Sequence, residues 1–137
     1  MKLHYEVAGD DFTRAGEASG AVKATLKRLG FPADVIRRVA IAMYEGEINM
    51  VIHANGGVAD VDIEPNLITI TLADRGPGIP DVEKAMQEGF STASETVRNL
   101  GFGAGMGLPN IKRYTDTLEI DTEIGKGTTI RMGITIS

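Results

Sequence analysis

The chain of 137 residues contains no cysteine, so it forms no disulfide and offers no thiolate to a metal, a composition compatible with a reducing cytoplasm. It has no tryptophan, and its three tyrosines and four phenylalanines leave few rings for stacking nucleic-acid bases. A net charge of −5 disfavours nucleic acid or an anionic membrane as the main partner. Long apolar runs are missing too. The most apolar helical stretch is broken by Arg37, Arg38, Glu45 and Glu47, and the first residues carry no apolar core of signal-peptide length. Apolar content of 42% and charged content of 24% are ordinary for a soluble globular protein. The length suits a single domain over residues 1–137, expected to be cytoplasmic, that buries about two-thirds of its unfolded surface.

Glycine, by contrast, is concentrated where it carries information. Residues 74–110 open with Asp74 at the end of an apolar run and continue through Gly76-Pro77-Gly78. A short helical pattern and a polar loop follow, and then Gly101-Phe-Gly103-Ala-Gly105-Met-Gly107-Leu108 leads into another helix. Glycines this dense before a helix start let backbone N–H groups approach an anion, so a phosphate chain is the expected ligand. Two familiar fingerprints fail. No G-x-x-x-x-G-K-[ST] is present, which excludes a P-loop. G-x-G-x-x-G also loses its spacing, because the sixth position is Met106 counted from Gly101 and Leu108 counted from Gly103.

In chain order, residues 2–7 alternate as a short strand, with Leu3, Tyr5 and Val7 on one side. Asp10 and Asp11 offer N-caps to a helix reaching Leu29, with Phe12, Ala15, Ala18, Val22, Leu26 and Leu29 as its stripe and Gly30 as its stop. Residues 33–55 form the longest helical pattern, with Ile41, Tyr44, Ile48, Val51 and Ile52 as the expected buried stripe. Glu45, Asn49 and His53 fall at i, i+4 and i+8, on one line of that helix. A row of polar groups beside a buried stripe is costly unless satisfied, so the row faces either a cleft or solvent. Glu47 points well away from Glu45 by helical geometry and is expected on a solvated surface. Residues 58–63 and 67–72 read as one hairpin, residues 107–116 as a helix, and residues 118–122 and 128–136 as a second hairpin over Gly125-Lys-Gly127. The sum is an α/β two-layer sandwich, a mainly antiparallel or mixed sheet with helices on one face.

The ordered set Glu45-x-x-x-Asn49, Asp74-x-Gly76-x-Gly78, Gly103-x-Gly105-x-Gly107-Leu108 and Gly127-Thr128 resembles the Bergerat-fold (GHKL) ATPases. Any one box is a weak signal, whereas four in order over most of one chain are specific. A chain of this length, with Asp74-Arg-Gly-Pro-Gly-Ile-Pro-Asp81 and Gly89-Phe-Ser-Thr92, is similar to the anti-sigma-factor and switch-protein serine kinases, the RsbW, SpoIIAB and RsbT group. The resemblance implies a Mg-ATP-dependent serine/threonine kinase that phosphorylates a STAS-domain antagonist and binds a sigma factor or other switch partner, with homodimers common in the group. ATP or ADP and Mg²⁺ are the implied ligands. Glu45 is implied as general base and Asn49 as the metal-binding residue. Asp74 would accept from the adenine amino group, and Thr128 would hold adenine through water. Gly76, Gly78 and Ile79 would line the nucleotide. Residues 91–102 would be a lid over the phosphates, with Gly103, Gly105 and Gly107 at its far hinge, and Thr92, Met106 and Leu108 would join these glycines in binding ATP. The alternative output is nucleotide-gated sequestration with little phosphotransfer. Read without the resemblance, Glu45 and Asn49 are an i, i+4 surface pair, Asp74 opens a turn, His53 is a structural histidine, and Lys112 and Arg113 are solvated.

Overall fold

A computed structural model describes residues 1–9, 14–53, 56–76 and 107–136. Alternation sets the strands: β1 (Lys2–Ala8), β2 (Gly56–Ile63), β3 (Leu67–Asp74), β4 (Thr117–Glu123) and β5 (Gly127–Thr135). They form one five-stranded sheet in the order β1-β2-β3-β5-β4, with every neighbouring pair antiparallel. The register aligns Tyr5, Ala59, Leu72, Ile130 and Ile120 in one cross-strand row, and Leu3, Val61, Ile70, Met132 and Leu118 in another. Those rows face the core. Between them His4, Asp60, Thr71, Arg131 and Glu119 line up on the open face, where His4 Nδ1 meets Asp60 Oδ1 at 2.6 Å and Arg131 reaches Glu119 at 3.3 Å. The period of two thus divides a packed face from a wet one, as the hairpin patterns imply.

The described helices are α1 (Glu17–Leu29), α2 (Ala33–His53) and α3 (Gly107–Tyr114). Their buried side chains merge with the inner face of the sheet into one cluster that includes Val22, Leu26, Val39, Met43, Leu72, Ile111 and Ile134. Full burial of a side chain of this size contributes about 1.5–3 kcal/mol, so this cluster dominates the favourable energy of folding. The architecture is the expected α/β two-layer sandwich.

Two expectations for the helices need correction. The buried line of α2 runs through Val35, Ile36, Val39, Ala42, Met43 and Met50, together with Ile48 and Val51. Ile41 is only half-buried and Tyr44 is exposed, at 38%. The reason is that α2 is sandwiched: the sheet, α1 and α3 each take a different part of its circumference, so no single stripe describes it. The second correction concerns Glu47, expected in solvent and in fact only 2% exposed.

Glu47 reaches the start of α1. Its Oε2 accepts from the backbone N–H groups of Gly16 and Ala18 at 2.9 and 3.2 Å, and its Oε1 accepts from Ser19 N–H at 3.0 Å. Orphan N–H groups at a helix start need acceptors, and an anion there is further favoured by the helix dipole. The N-cap itself, Gly16, has φ of 97° and supplies no side chain, so a carboxylate from another helix does the capping. The expected cap residues Asp10 and Asp11, with Phe12, lie outside the described residues. At the other end Gly30 stops α1 in the left-handed region as expected, with Phe31 N–H donating to Leu26 O.

Gly46 brings α2 against the sheet. A Cβ there would lie 2.2 Å from Leu72 Cδ1, so only a hydrogen fits between helix and strand. This close approach packs α2, which carries Glu45 and Asn49, onto β3 at Leu72, two residues before Asp74.

Candidate nucleotide-binding site

The strand ends build the first part of the site. Asp74 closes β3, and its Oδ1 accepts from Gly76 N–H at 2.9 Å and from Thr128 N–H at 3.0 Å. Neither bond uses Oδ2. The Asp74–Gly76 contact is the local turn expected of an aspartate before glycine. The contact with Thr128 is long-range, and it depends on Gly127. That residue has φ of 127°, and a Cβ on it would lie 2.2 Å from Asp74 O, so a side chain would push β5 away from β3. Thr128 is 5% exposed, and its hydroxyl lies 2.9 Å from that of Thr122 on β4. Three strands therefore hold one carboxylate and two hydroxyls at the same end of the sheet.

The second part lies on α2. Glu45 and Asn49 are both half-buried and one turn apart, so they present an acid and an amide along one edge of the helix. Glu45 Oε1 accepts from Asn110 Nδ2 of α3 at 3.3 Å. Beside Glu45 an open, largely apolar hollow of about 330 Å³ runs between α1 and α2, lined by Gly20, Lys23, Ile41 and Tyr44 among others. Burial, and then the carboxylates of Glu45 and Glu47, push the Tyr44 phenol above its ordinary value of 10.0. The ring lies against Gly16, where a Cβ would approach it to 3.1 Å.

The remaining expected residues divide in two. Gly107 begins α3, and the side chain of Leu108, 6% exposed, is packed in the core. Gly78, Ile79, Thr92, Gly103, Gly105 and Met106, the proposed lid over 91–102, and the side chain of His53 lie outside the described residues. Sequence reasoning missed Asn110 and Thr122 altogether. Asn110 follows the glycine run at no motif position, and Thr122 is one of many strand threonines, so only the fold reveals their neighbours.

With that geometry in place, the comparison with known families is decisive: the pattern of the Histidine kinase-like ATPase domain matches residues 10–134. The chain belongs to this family. Among curated relatives of this histidine kinase-like ATPase, the serine/threonine-protein kinase RsbT of Bacillus subtilis is 34% identical over 77% of this chain and 76% of its own length. The anti-sigma F factor of Caldanaerobacter subterraneus subsp. tengcongensis is 38% identical over 84% of this chain and 80% of its own. Among solved structures, the RsbU and RsbW domains of Rv1364c from Mycobacterium tuberculosis align at TM-score 0.66 and 16% identity. The whole of this chain is covered there, but it spans only about a third (33%) of that protein, and the likeness is one of fold. No helix among the described residues is long and apolar enough to cross a membrane.

Proposed function

We propose that this protein is a Mg-ATP-dependent serine/threonine kinase of a partner-switching system, acting on a STAS-domain protein. The observation that carries the reading is the pairing of two parts. A carboxylate, Asp74, is held by backbone donors at one sheet end, and a half-buried Glu45–Asn49 pair lies on α2, whose Gly46 packs on β3 at Leu72, two residues before Asp74. The family match and the similarity to a protein named as a serine/threonine kinase support it.

Each residue has a derivable task. Asp74, with Oδ1 already engaged, turns Oδ2 toward an adenine amino group, and Thr128 and Thr122 supply hydroxyls for a water-mediated contact. Asn49 offers a neutral oxygen. Among the described residues no three acidic or histidine side chains form a ready-made cation cage. A magnesium ion here would therefore draw on Asn49, water and the phosphates, which suits its preference for oxygen and its retained hydration, and would neutralise developing charge. Glu45 accepts the proton of the acceptor hydroxyl as that oxygen bonds to the γ-phosphorus and the bond to the β-phosphate oxygen breaks, releasing ADP. Phosphoryl transfer asks little covalent work of the protein, so a positioned base is sufficient.

The similarity to anti-sigma F factors favours a second output from the same pocket, in which nucleotide state sets affinity for a sigma factor with little transfer. The test is calorimetric ATP binding with and without Mg²⁺, for wild type and Asp74→Asn, followed by transfer of the radiolabelled γ-phosphate to candidate partners. Mg-dependent binding lost in the variant supports the pocket, and label moving onto a protein serine or threonine supports the kinase. Binding without transfer would favour sequestration, and no binding would overturn both.

A further inference from the structure

α3 carries a side chain to Glu45 that no motif marks. Asn110 sits in the first turn of this helix and donates from Nδ2 to Glu45 Oε1 at 3.3 Å. Glu45 Oε2 has no partner among the described residues. The helix presenting the amide is itself well anchored. Leu108 and Ile111 are buried in the core on either side of Asn110, and Arg38 Nε donates to Tyr114 O at the C-terminal end.

We propose that Asn110 is a positioning residue for phosphoryl transfer: its amide holds one oxygen of Glu45 so that the other meets the acceptor hydroxyl. The inference rests on the kinase reading above and adds to it the group that orients the base. A glutamate has several free torsions, and a half-buried one samples many rotamers unless something restrains it. The restraint has to leave the carboxylate able to take a proton. A cation in contact would stabilise the anion strongly and weaken it as a base, whereas a neutral amide fixes direction at smaller cost to basicity. Asn110 is such a donor. Its place on a packed helix instead of a loop gives the constraint the rigidity that an oriented base requires. The contact also joins two parts of the candidate site, because α3 begins at Gly107, where the glycine-rich stretch ends.

The experiment compares the full chain with Asn110→Ala, Asn110→Asp and Asn110→Gln. Mg-ATP affinity comes from calorimetry, turnover from transfer of the radiolabelled γ-phosphate, and the contact itself from the side-chain amide resonance of Asn110. Asn110→Ala is expected to lower kcat by about tenfold while the KM for ATP stays within about twofold, the signature of an interaction needed only in the transition state. Asn110→Asp keeps the shape but faces Glu45 with a second acceptor, and turns over less still. Asn110→Gln retains an amide and recovers part of the loss. The Asn110 amide resonance is expected to move in Glu45→Ala. Wild-type turnover in both the Ala and Asp variants, an amide resonance indifferent to Glu45→Ala, or a loss in ATP affinity that accounts for the whole effect would overturn the assignment. A wild-type chain that binds Mg-ATP but transfers no phosphate overturns instead the kinase reading on which it rests. Should Asn110→Ala fail to fold, the Asp and Gln variants carry the same comparison.

Discussion

Glu45 and Glu47 are the same side chain two positions apart on one helix, and their surroundings are opposite. Successive residues of an α-helix turn through about 100°, so the two carboxylates leave α2 on nearly opposite sides. Glu47 meets the start of α1, where three backbone N–H groups converge on it at 2.9–3.2 Å. Glu45 meets one neutral amide and an open hollow. A buried carboxylate survives only where donors replace its water, and at Glu47 the donors among the described residues are backbone N–H groups. Such a group is finished: its hydrogen bonds are used within the fold. The half-satisfied carboxylate next to it is the one with capacity left for chemistry.

Breaking the half-buried member should have the largest effect. Glu45→Gln is expected to reduce phosphotransfer by about 10²–10⁴-fold, the usual contribution of a general base, while ATP affinity and thermal stability stay close to wild type. Quench-flow with the cognate acceptor measures it, and a variant retaining most of the rate would remove Glu45 from the mechanism. Breaking the buried member should do the reverse. Glu47→Ala strands three N–H groups at a buried helix start. A loss of about 3 kcal/mol in urea unfolding is expected, from about 1–3 kcal/mol per group left unmatched, offset by partial water entry. A loss under about 1 kcal/mol would mean that α1 caps itself.

The same contrast explains what could be read from the chain. Strand alternation placed β2 and β3 within two residues of their ends, and the four boxes singled out Glu45, Asn49, Asp74 and Thr128. These signals are local. The fate of Glu47 is decided by backbone N–H groups 28–31 residues earlier in the chain, which no periodicity records. The α2 stripe failed for a related reason, since a helix packed on three sides has no simple amphipathic face. The insertion of β5 between β3 and β4 was equally hidden, because two hairpin patterns do not say which of their strands meet.

Between the two glutamates stands Gly46, and a side chain there sharpens the comparison by moving both. Alanine would gain up to about 1 kcal/mol of helix propensity over glycine. Its Cβ, however, would fall 2.2 Å from Leu72 Cδ1, with Met132 Cε at 3.7 Å behind. Leu72 is itself fully buried, so it cannot simply swing aside, and overpacking of this kind costs about 1–3 kcal/mol. The clash wins, and Gly46→Ala is expected to lose about 1–2 kcal/mol of stability and to weaken ATP binding together, because α2 carries Glu45 and Asn49 with it. Stability lost with ATP affinity untouched would show that Leu72 absorbs the strain alone.

Asp116 supplies the intermediate case and the smallest expected effect. Thr135 N–H at 2.7 Å, Arg38 at 2.8 Å and the Thr135 hydroxyl at 2.9 Å all donate to its Oδ2, yet the side chain stays partly in water. The backbone N–H of Thr135, then the Arg38 guanidinium, hold its carboxyl below the ordinary 3.8. A carboxyl depressed in the folded state releases its proton more readily there than in the unfolded chain. Its contribution is therefore present above the unfolded value and is lost as pH falls from about 3.8 through the lower folded value. Solvent screening keeps that contribution small. Asp116→Asn is expected to flatten the acid limb of the urea midpoint plotted against pH, with little change near neutrality. An acid limb as steep as the wild type's would assign the acid sensitivity to other carboxylates.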